Sequence, residues 1–171
     1  MPRGLGRFLG CLSGMEASNR TPPSLRFSFA PIPAGARSGD STSMPQRNVP
    51  VRVFLADDSA LIRERVSAML CARAMAVVGQ AETPQASIDG ILAAKPDVVV
   101  LDVQLEGGSG LQVLRAVREA APEIAFVVFS NNAGPAYRKR YLGEGAQRFL
   151  DKSTEFDQLV RAVEKASQDA Y

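Results

Sequence analysis

The sequence predicts an α/β fold, a doubly wound five-stranded parallel sheet with helices on both faces. From Val49 onward, apolar runs alternate with segments of helical periodicity, which gives five strand–helix units in about 120 residues. The third and fourth apolar runs, DVVVLD and IAFVVFS, are continuous instead of alternating with polar residues. Such strands belong to a sheet covered on both faces, and each helix between them provides the crossover that parallel strands need.

The five predicted strands are short and mostly apolar. They cover residues 51–56, 76–81, 97–102, 124–130 and 148–150. Continuous apolar runs of this length, bounded by helical segments, indicate buried strands. The strand–helix–strand crossovers are expected to be right-handed, as they are by default.

The predicted helices are marked by their starting residues. Ser59 is a good N-cap for the first helix, and Thr83 followed by Pro84 marks the start of the second. The later helices are predicted to follow the glycine-rich segment 107–110, to cover 136–142, and to begin at Thr154.

The composition excludes several classes of function. The chain has no histidine, so it has no histidine-based catalysis, no histidine-ligated metal and no phosphohistidine of its own. Its net charge of +2 gives no argument for a nucleic-acid or acidic-membrane partner. The two cysteines, Cys11 and Cys71, lack disulfide or zinc spacing, which favours a reducing cytoplasm. No apolar stretch reaches the ~18 residues of a membrane span, so no membrane association is expected.

Residues 1–48 differ in composition from the rest of the chain. They hold six of the eleven prolines, six of the fourteen glycines, six arginines and two acids. This composition predicts a disordered leader, or sequence upstream of a true start at Met15 or Met44. An organellar transit peptide is the alternative. The folded domain is predicted to be residues 49–171.

Polar residues follow the predicted strands at their carboxyl ends. Asp57 and Asp58 follow the first strand, Asp102 ends the third, Ser130 ends the fourth, and Lys152 comes after the fifth. Ligands of doubly wound sheets bind at this edge. If the first and third strands are neighbours, three carboxylates converge there and repel each other unless a cation compensates.

This set of residues suggests a particular chemistry. An all-oxygen cluster is typical of a hard cation, and Mg²⁺ suits it. With a lysine and a hydroxyl at the rim, the site suits transfer of a phosphoryl group onto a carboxylate. The same residues also have purely structural interpretations: Asp58 or Ser59 as a helix cap, Ser130 as a loop hydroxyl, and Phe149 as a core aromatic.

In their order along the chain, these residues resemble the receiver domain of two-component response regulators, over residues 51–166. The resemblance rests on the acidic pair, the LDV aspartate, a glycine eight residues later, the hydroxyl, and an aromatic three residues before the lysine: Asp57, Asp58, Asp102, Gly110, Ser130, Phe149 and Lys152. It implies a flavodoxin-like sheet of order 2-1-3-4-5.

The resemblance also implies roles for the site residues. Asp102 would accept a phosphoryl group from a phosphohistidine on a partner protein. Asp58, Asp102 and the backbone carbonyl of Gln104 would hold Mg²⁺ directly, and Asp57 would act mostly through water. Lys152 would pair with a phosphoryl oxygen.

A second group of residues is implied in switching. Ser130 would hydrogen-bond the phosphoryl group after transfer, and Phe149 would follow into the space it leaves. Gln104 and Asn132 occupy positions that tune the lifetime of the aspartyl phosphate, and Asn131 narrows access for the donor. Ser153 stands where the family usually has a cis proline, which leaves the isomer of that bond open.

The function implied is two-component signal transduction by a stand-alone, chemotaxis-type single-domain regulator. It would switch protein–protein binding or relay phosphoryl groups, and it would not be a conventional turnover enzyme. A histidine kinase or histidine phosphotransfer protein would be the donor, and the target is unknown. Because no effector domain follows the last helix, the output is expected to be binding, as a monomer or a phosphorylation-dependent dimer.

Two other functions stay open. One is a phosphorylation-independent interaction module with the same fold. The other is a phosphatase with an aspartate nucleophile, although such enzymes need an Asp-x-Asp pattern and a cap insertion. The cluster 137–141, YRKRY, is expected to be exposed, either as a solvated helical face or as a docking surface.

Overall fold

A computed structural model of the protein describes residues 49–169. The predicted leader, residues 1–48, lies outside the described residues. The five strands of the main sheet alternate with helices along the chain, as the sequence predicts. The strands, in chain order, are β1 (Arg52–Ala56), β2 (Ala76–Ala81), β3 (Val98–Leu101), β4 (Gln104–Leu105), β5 (Gly108–Ser109), β6 (Ala125–Ser130) and β7 (Arg148–Asp151).

Five of these strands form one parallel sheet in the order β2-β1-β3-β6-β7. Counted along the chain, this is the predicted order 2-1-3-4-5, and the prediction of a doubly wound α/β fold is confirmed. Every residue of the two central strands β3 and β6 is buried, which explains their continuous apolar sequences. β4 and β5 were not predicted; they form a small antiparallel hairpin that turns at Gly107, where φ is +76°.

Five α-helices lie against the sheet. They are α1 (Ala60–Cys71), α2 (Pro84–Ala94), α3 (Gly110–Ala120), α4 (Pro135–Gly143) and α5 (Leu159–Asp169). The first two begin as predicted: Ser59 Oγ accepts the Ile62 N–H at 3.4 Å, and Thr83 Oγ1 accepts the Ala86 N–H at 3.3 Å.

The hydrophobic core has two halves, one on each face of the sheet. Alternate residues of each central strand contribute to opposite halves, as the two-residue period of a strand requires. In β3, for example, Val99 and Leu101 pack toward α2 and α3, whereas Val98 and Val100 pack toward α1 and α5. Apolar packing therefore covers both faces of the sheet, and the polar residues of interest lie at its carboxyl edge.

The predicted start of the last helix at Thr154 is wrong. The chain first makes a 3₁₀ turn, Phe156–Gln158, and α5 begins at Leu159. The reason is a competing contact: the Glu155 carboxylate accepts the Asp151 N–H at 2.9 Å and pairs with Arg138 of α4 at 2.8 Å. These bonds hold the chain against β7 before the helix can start.

The prediction that all of residues 137–141 are exposed is also wrong. Tyr137 is 45% exposed, but Tyr141 is only 2% exposed. These two tyrosines are four residues apart, yet the helix lies on the sheet so that Tyr141 faces inward. No peptide bond among the described residues is cis, so the bond between Lys152 and Ser153 is trans.

Within residues 49–169, every helix is too short or too polar to cross a membrane.

Candidate functional site

The end of β1 places two adjacent aspartates at the carboxyl edge of the sheet. The Asp57 N–H donates to the Ala81 carbonyl of β2 at 3.1 Å, and its Oδ1 accepts the Ser59 N–H at 2.9 Å. These two bonds carry the chain from the strand into α1. As a result the Asp57 side chain is buried, while Asp58 next to it is exposed.

The end of β3 brings Asp102 to the same edge. Its N–H donates to the Ala56 carbonyl at 2.8 Å, which extends the β1–β3 pairing by one residue. Its Oδ1 accepts the Gln104 N–H at 3.3 Å, and the residue is 8% exposed. Asp57 and Asp102 thus follow neighbouring strands, as the sequence argument required.

Lys152 bridges these two buried carboxylates. Its Nζ donates to Asp57 Oδ2 and to Asp102 Oδ2, each at 2.5 Å. Its backbone N–H donates to the Ser130 carbonyl at 3.1 Å, so the end of β6 holds the lysine in place. One ammonium group therefore bridges two carboxylates that follow different strands.

The carboxylate cluster carries more negative than positive charge. One oxygen from each of Asp57, Asp58 and Asp102 can lie within 4.8 Å of the other two. Burial raises the pKa of the Asp57 carboxyl, and the charge of Asp102 adds to this, whereas the hydrogen bond and charge of Lys152 oppose it. One lysine against three carboxylates leaves room for a further cation.

The donor set fits a hard divalent cation. All three candidate side-chain ligands are carboxylate oxygens, two of them buried and that of Asp58 exposed. Mg²⁺ prefers such oxygen ligands and keeps several of its waters. The site is thus chemically suited to a magnesium ion.

Ser130 ends β6 at the same edge. The Leu101–Val128 pairing of β3 with β6 puts Ser130 two residues beyond the partner of Leu101. Ser130 is 1% exposed, and its Oγ accepts the Asn132 N–H at 3.2 Å. Asn132 is half-buried and Asn131 is exposed, so the amide at 131 faces solvent beside the site.

Phe149 is a buried residue of β7 that packs under α4. Its ring meets the Tyr141 ring edge-on, with centroids 6.0 Å apart, and the Arg138 guanidinium lies 5.2 Å from its centroid. This position agrees with the reading as a core aromatic. The switching role stays a prediction.

Sequence reasoning missed Tyr141 as a neighbour of the site. Its hydroxyl donates to the Val103 carbonyl at 3.3 Å, one residue after Asp102. Burial raises the pKa of Tyr141 to about 12, so the hydroxyl keeps its proton at neutral pH. No local pattern indicated this contact, because the residues between Tyr137 and Tyr141 are charged and Tyr137 itself is exposed.

Arg63 of α1 was also missed. Its Nη1 donates to the Asp57 carbonyl at 2.6 Å, and its Nη2 pairs with Glu82 after β2 at 2.6 Å. It therefore braces the turn that carries the acidic pair. A signal was present: Arg63 shares a helix face with Val66 and Leu70, an apolar face on which an arginine needs a buried partner.

The sheet order and the acidic cluster at its carboxyl edge define a receiver-type domain. Residues 53–164 match the response regulator receiver domain family, and the chain belongs to this family. Receiver domains act in two-component signalling and are not conventional enzymes.

Among its relatives is the response regulator GacA of Pseudomonas viridiflava, 31% identical over 114 residues, which cover 66% of this chain and 53% of GacA. The transcriptional regulatory protein NarL of Mycobacterium tuberculosis is 36% identical over the same shares of each chain. The solved NarL receiver domain is 34% identical, with a TM-score of 0.63 over 70% of this chain and 97% of that domain. The chain spans about half the length of the curated relatives it matches.

Proposed function

We propose that this protein is a Mg²⁺-dependent receiver that is phosphorylated on Asp102 by a histidine kinase or a histidine phosphotransfer protein. The observation that carries the proposal is the Lys152 ammonium held 2.5 Å from both Asp57 and Asp102 at the carboxyl edge of the sheet. A buried lysine beside an acidic cluster is a typical arrangement for a functional site. The chain itself supplies no histidine, so the donor is another molecule.

The proposed metal ligands are the carboxylates of Asp57, Asp58 and Asp102 and the backbone carbonyl of Gln104. When bound, Mg²⁺ would offset the charge of the carboxylates and of an incoming phosphoryl group. We assign direct contact to Asp58, Asp102 and Gln104, and contact through water to Asp57. Lys152 binds one oxygen of each buried aspartate, but the other oxygen of Asp57 is held more closely, by the Ser59 N–H at 2.9 Å, than that of Asp102, by the Gln104 N–H at 3.3 Å. This difference supports that division.

In the proposed reaction, an oxygen of the Asp102 carboxylate attacks the phosphorus of a phosphohistidine. The new P–O bond forms as the P–N bond breaks, and the imidazole leaves with the partner after taking up a proton. Lys152 then pairs with a phosphoryl oxygen in place of its present bond to the Asp102 carboxylate. Its charge stabilises the transferred group electrostatically.

The proposed response to phosphorylation involves residues that lie beside Asp102 and Lys152. The Ser130 oxygen now accepts a bond from Asn132, which leaves its hydroxyl hydrogen to be donated to the phosphoryl group. When Ser130 moves toward the phosphoryl group, Phe149 moves into the space that it leaves. Gln104 and Asn132 set the lifetime of the adduct, and Asn131 limits access for the phosphodonor. The output is binding to a protein target, as a monomer or a phosphorylation-dependent dimer. Residues 49–171 are the proposed working unit, acting in the cytoplasm.

The test is incubation with acetyl phosphate or phosphoramidate and Mg²⁺, followed by intact-mass analysis. We expect one phosphoryl adduct, which disappears in Asp102→Asn and when Mg²⁺ is chelated. The matched control is Asp89→Asn, an exposed acid of α2, which should keep the adduct.

The other outcomes decide between the alternatives. No adduct with these donors or with a cognate kinase would reject the proposal in favour of a phosphorylation-independent interaction module. Repeated hydrolysis of unrelated phosphate esters would instead indicate a phosphatase.

A further inference from the structure

Helix α4 carries a buried tyrosine that touches two parts of the site. The Tyr141 hydroxyl donates to the Val103 carbonyl at 3.3 Å, and its ring packs edge-on against Phe149. Val103 follows Asp102, and Phe149 is three residues before Lys152. Tyr141 is only 2% exposed, so its ring and its hydroxyl are both fixed by their surroundings.

A single peptide unit separates the tyrosine hydroxyl from the Asp102 carboxylate. The Val103 carbonyl accepts the Tyr141 O–H, and the N–H of the same peptide, that of Gln104, donates to Asp102 Oδ1 at 3.3 Å. A peptide unit is planar and rigid, so its two ends move together. Hydrogen bonds in such a series also polarise one another. The state of Asp102 is thereby linked to the position of Tyr141.

The tyrosine hydrogen bond adds to the anchoring of this carbonyl and is not its sole support. The Gly110 N–H also donates to the Val103 carbonyl, at 2.9 Å. Loss of the tyrosine hydroxyl therefore leaves the carbonyl with a partner. Removing the hydroxyl should alter how the peptide is held without unfolding the domain.

At the other end, α4 holds Phe149 through two residues. Arg138, one turn before Tyr141, donates from Nη1 to the Phe149 carbonyl at 2.7 Å, and its guanidinium lies 5.2 Å from the Phe149 ring centroid. Tyr141 covers the same ring from the edge, with an angle of 71° between the planes. A shift of Tyr141 is therefore felt by Phe149 and by the strand that leads to Lys152.

We propose that Tyr141 is a positioning residue that couples the peptide after Asp102 to Phe149 and α4. This inference rests on the proposed function, because the signal it carries is the change at Asp102 on phosphorylation. When that carboxylate becomes an acyl phosphate, the bond from Gln104 N–H changes, the peptide shifts, and Tyr141 moves against Phe149.

The first test uses the full-length protein without any phosphodonor. Amide resonances are compared by nuclear magnetic resonance between the parent, Tyr141→Phe and Tyr137→Phe, an exposed tyrosine one turn earlier on the same helix. Tyr141→Phe should shift the Gln104 amide, whose peptide the lost hydroxyl bonds at the Val103 carbonyl, and also the amides of 149–152. Tyr137→Phe should leave the Gln104 amide in place. Shifts confined to 103 and 104 would overturn the coupling.

The second test measures phosphorylation. Tyr141→Phe should change the rate of adduct formation or loss by about fivefold, the effect of one ordinary hydrogen bond, while Tyr137→Phe matches the parent. An unchanged rate and lifetime in Tyr141→Phe would overturn the proposal. If the parent itself gains no adduct, the proposed function fails, and the resonance comparison alone decides the role of Tyr141.

A second variant, Phe149→Leu, keeps the proposal testable if Tyr141→Phe does not fold. It removes the ring that Tyr141 packs against and should shift the Gln104 amide as well. The proposal is rejected if Tyr141→Phe leaves the amides of 149–152 in place and Phe149→Leu leaves the Gln104 amide in place.

Discussion

Gly110 approaches the backbone of Asp102 more closely than any side chain would permit. A Cβ atom built on Gly110 would lie 2.0 Å from the Asp102 carbonyl oxygen and 3.0 Å from Leu101 Cγ. The first of these neighbours is backbone and cannot move aside without displacing the strand end. The glycine is thus required by contact distance, and the site residue Asp102 depends on it.

Gly110→Ala should therefore displace the loop that begins at Asp102, the proposed phosphoacceptor. We expect the free energy of unfolding to fall by about 1–3 kcal/mol, the usual cost of overpacking, and Asp102 phosphorylation to be strongly reduced. Urea denaturation and intact-mass analysis measure the two effects. Gly143→Ala is the control, because a Cβ there meets nothing within 4 Å. Normal stability in Gly110→Ala would show that the loop can relax.

Asp58 is the exposed member of the acidic cluster, so its charge can be removed without disturbing the lysine bridge. Asp58→Asn should weaken Mg²⁺ binding roughly tenfold or more, as the loss of a metal contact does. Isothermal titration with Mg²⁺ measures this, and Asp157→Asn, an exposed acid of the 3₁₀ turn, serves as control. Equal Mg²⁺ affinity in the two variants would remove Asp58 from the ligand set.

At the scale of elements, α4 is tied to the end of β7 by a polar contact that involves four residues. Arg138 donates to the Phe149 carbonyl and to Glu155, and the same Glu155 oxygen accepts the Asp151 N–H. The contact fixes the helix relative to the strand that leads to Lys152. It also delays α5 by the 3₁₀ turn described above.

This contact has a consequence for pH dependence. The hydrogen bond from Arg138 lowers the pKa of Glu155 below its ordinary value of 4.5. A lowered pKa means that the ionised form stabilises the folded state. That stability is fully present above 4.5 and is lost as the pH falls through the lower, folded-state pKa.

Glu155→Gln should therefore lose less stability on acidification than the parent. Urea denaturation at a series of pH values from about 6 down to about 3 measures the slope. Glu119→Gln, an exposed acid of α3, is expected to keep the slope of the parent. If Glu155→Gln also keeps that slope, the pair with Arg138 does not contribute.

The elements themselves were largely predictable, and the exceptions share a cause. The sheet strands and the starts of α1 and α2 follow from local patterns, namely apolar runs and capping residues. The hairpin of β4 and β5 and the delayed α5 depend on partners elsewhere. A strand of two residues is too short to show a periodic pattern. The delayed start of α5 depends on Arg138, which lies seventeen residues before Glu155.

For the whole molecule, the buried apolar residues of the described part all lie between Val53 and Ala166. Both halves of the core are built from that stretch, one on each face of the sheet. The stretch also contains every residue of the candidate site. Folding and phosphorylation are therefore expected to need nothing before residue 49.

A chain started at Met44 should have the unfolding temperature of the full chain and gain the same phosphoryl adduct. Thermal unfolding by circular dichroism and intact-mass analysis of both proteins, side by side, check this. A lower unfolding temperature or a missing adduct in the shorter protein would mean that residues 1–43 take part in the fold or in the function.

The sequence by itself determined the α/β class, the order of the elements and the set of residues at the carboxyl edge. These features depend on local periodicity and on position along each strand, which a linear pattern retains. Only the tertiary structure decided that Lys152 bridges Asp57 and Asp102, 95 and 50 residues away, and that Tyr141 reaches Val103, 38 residues away. Such contacts depend on how helices lie on the sheet, and packing of that kind leaves no local signal.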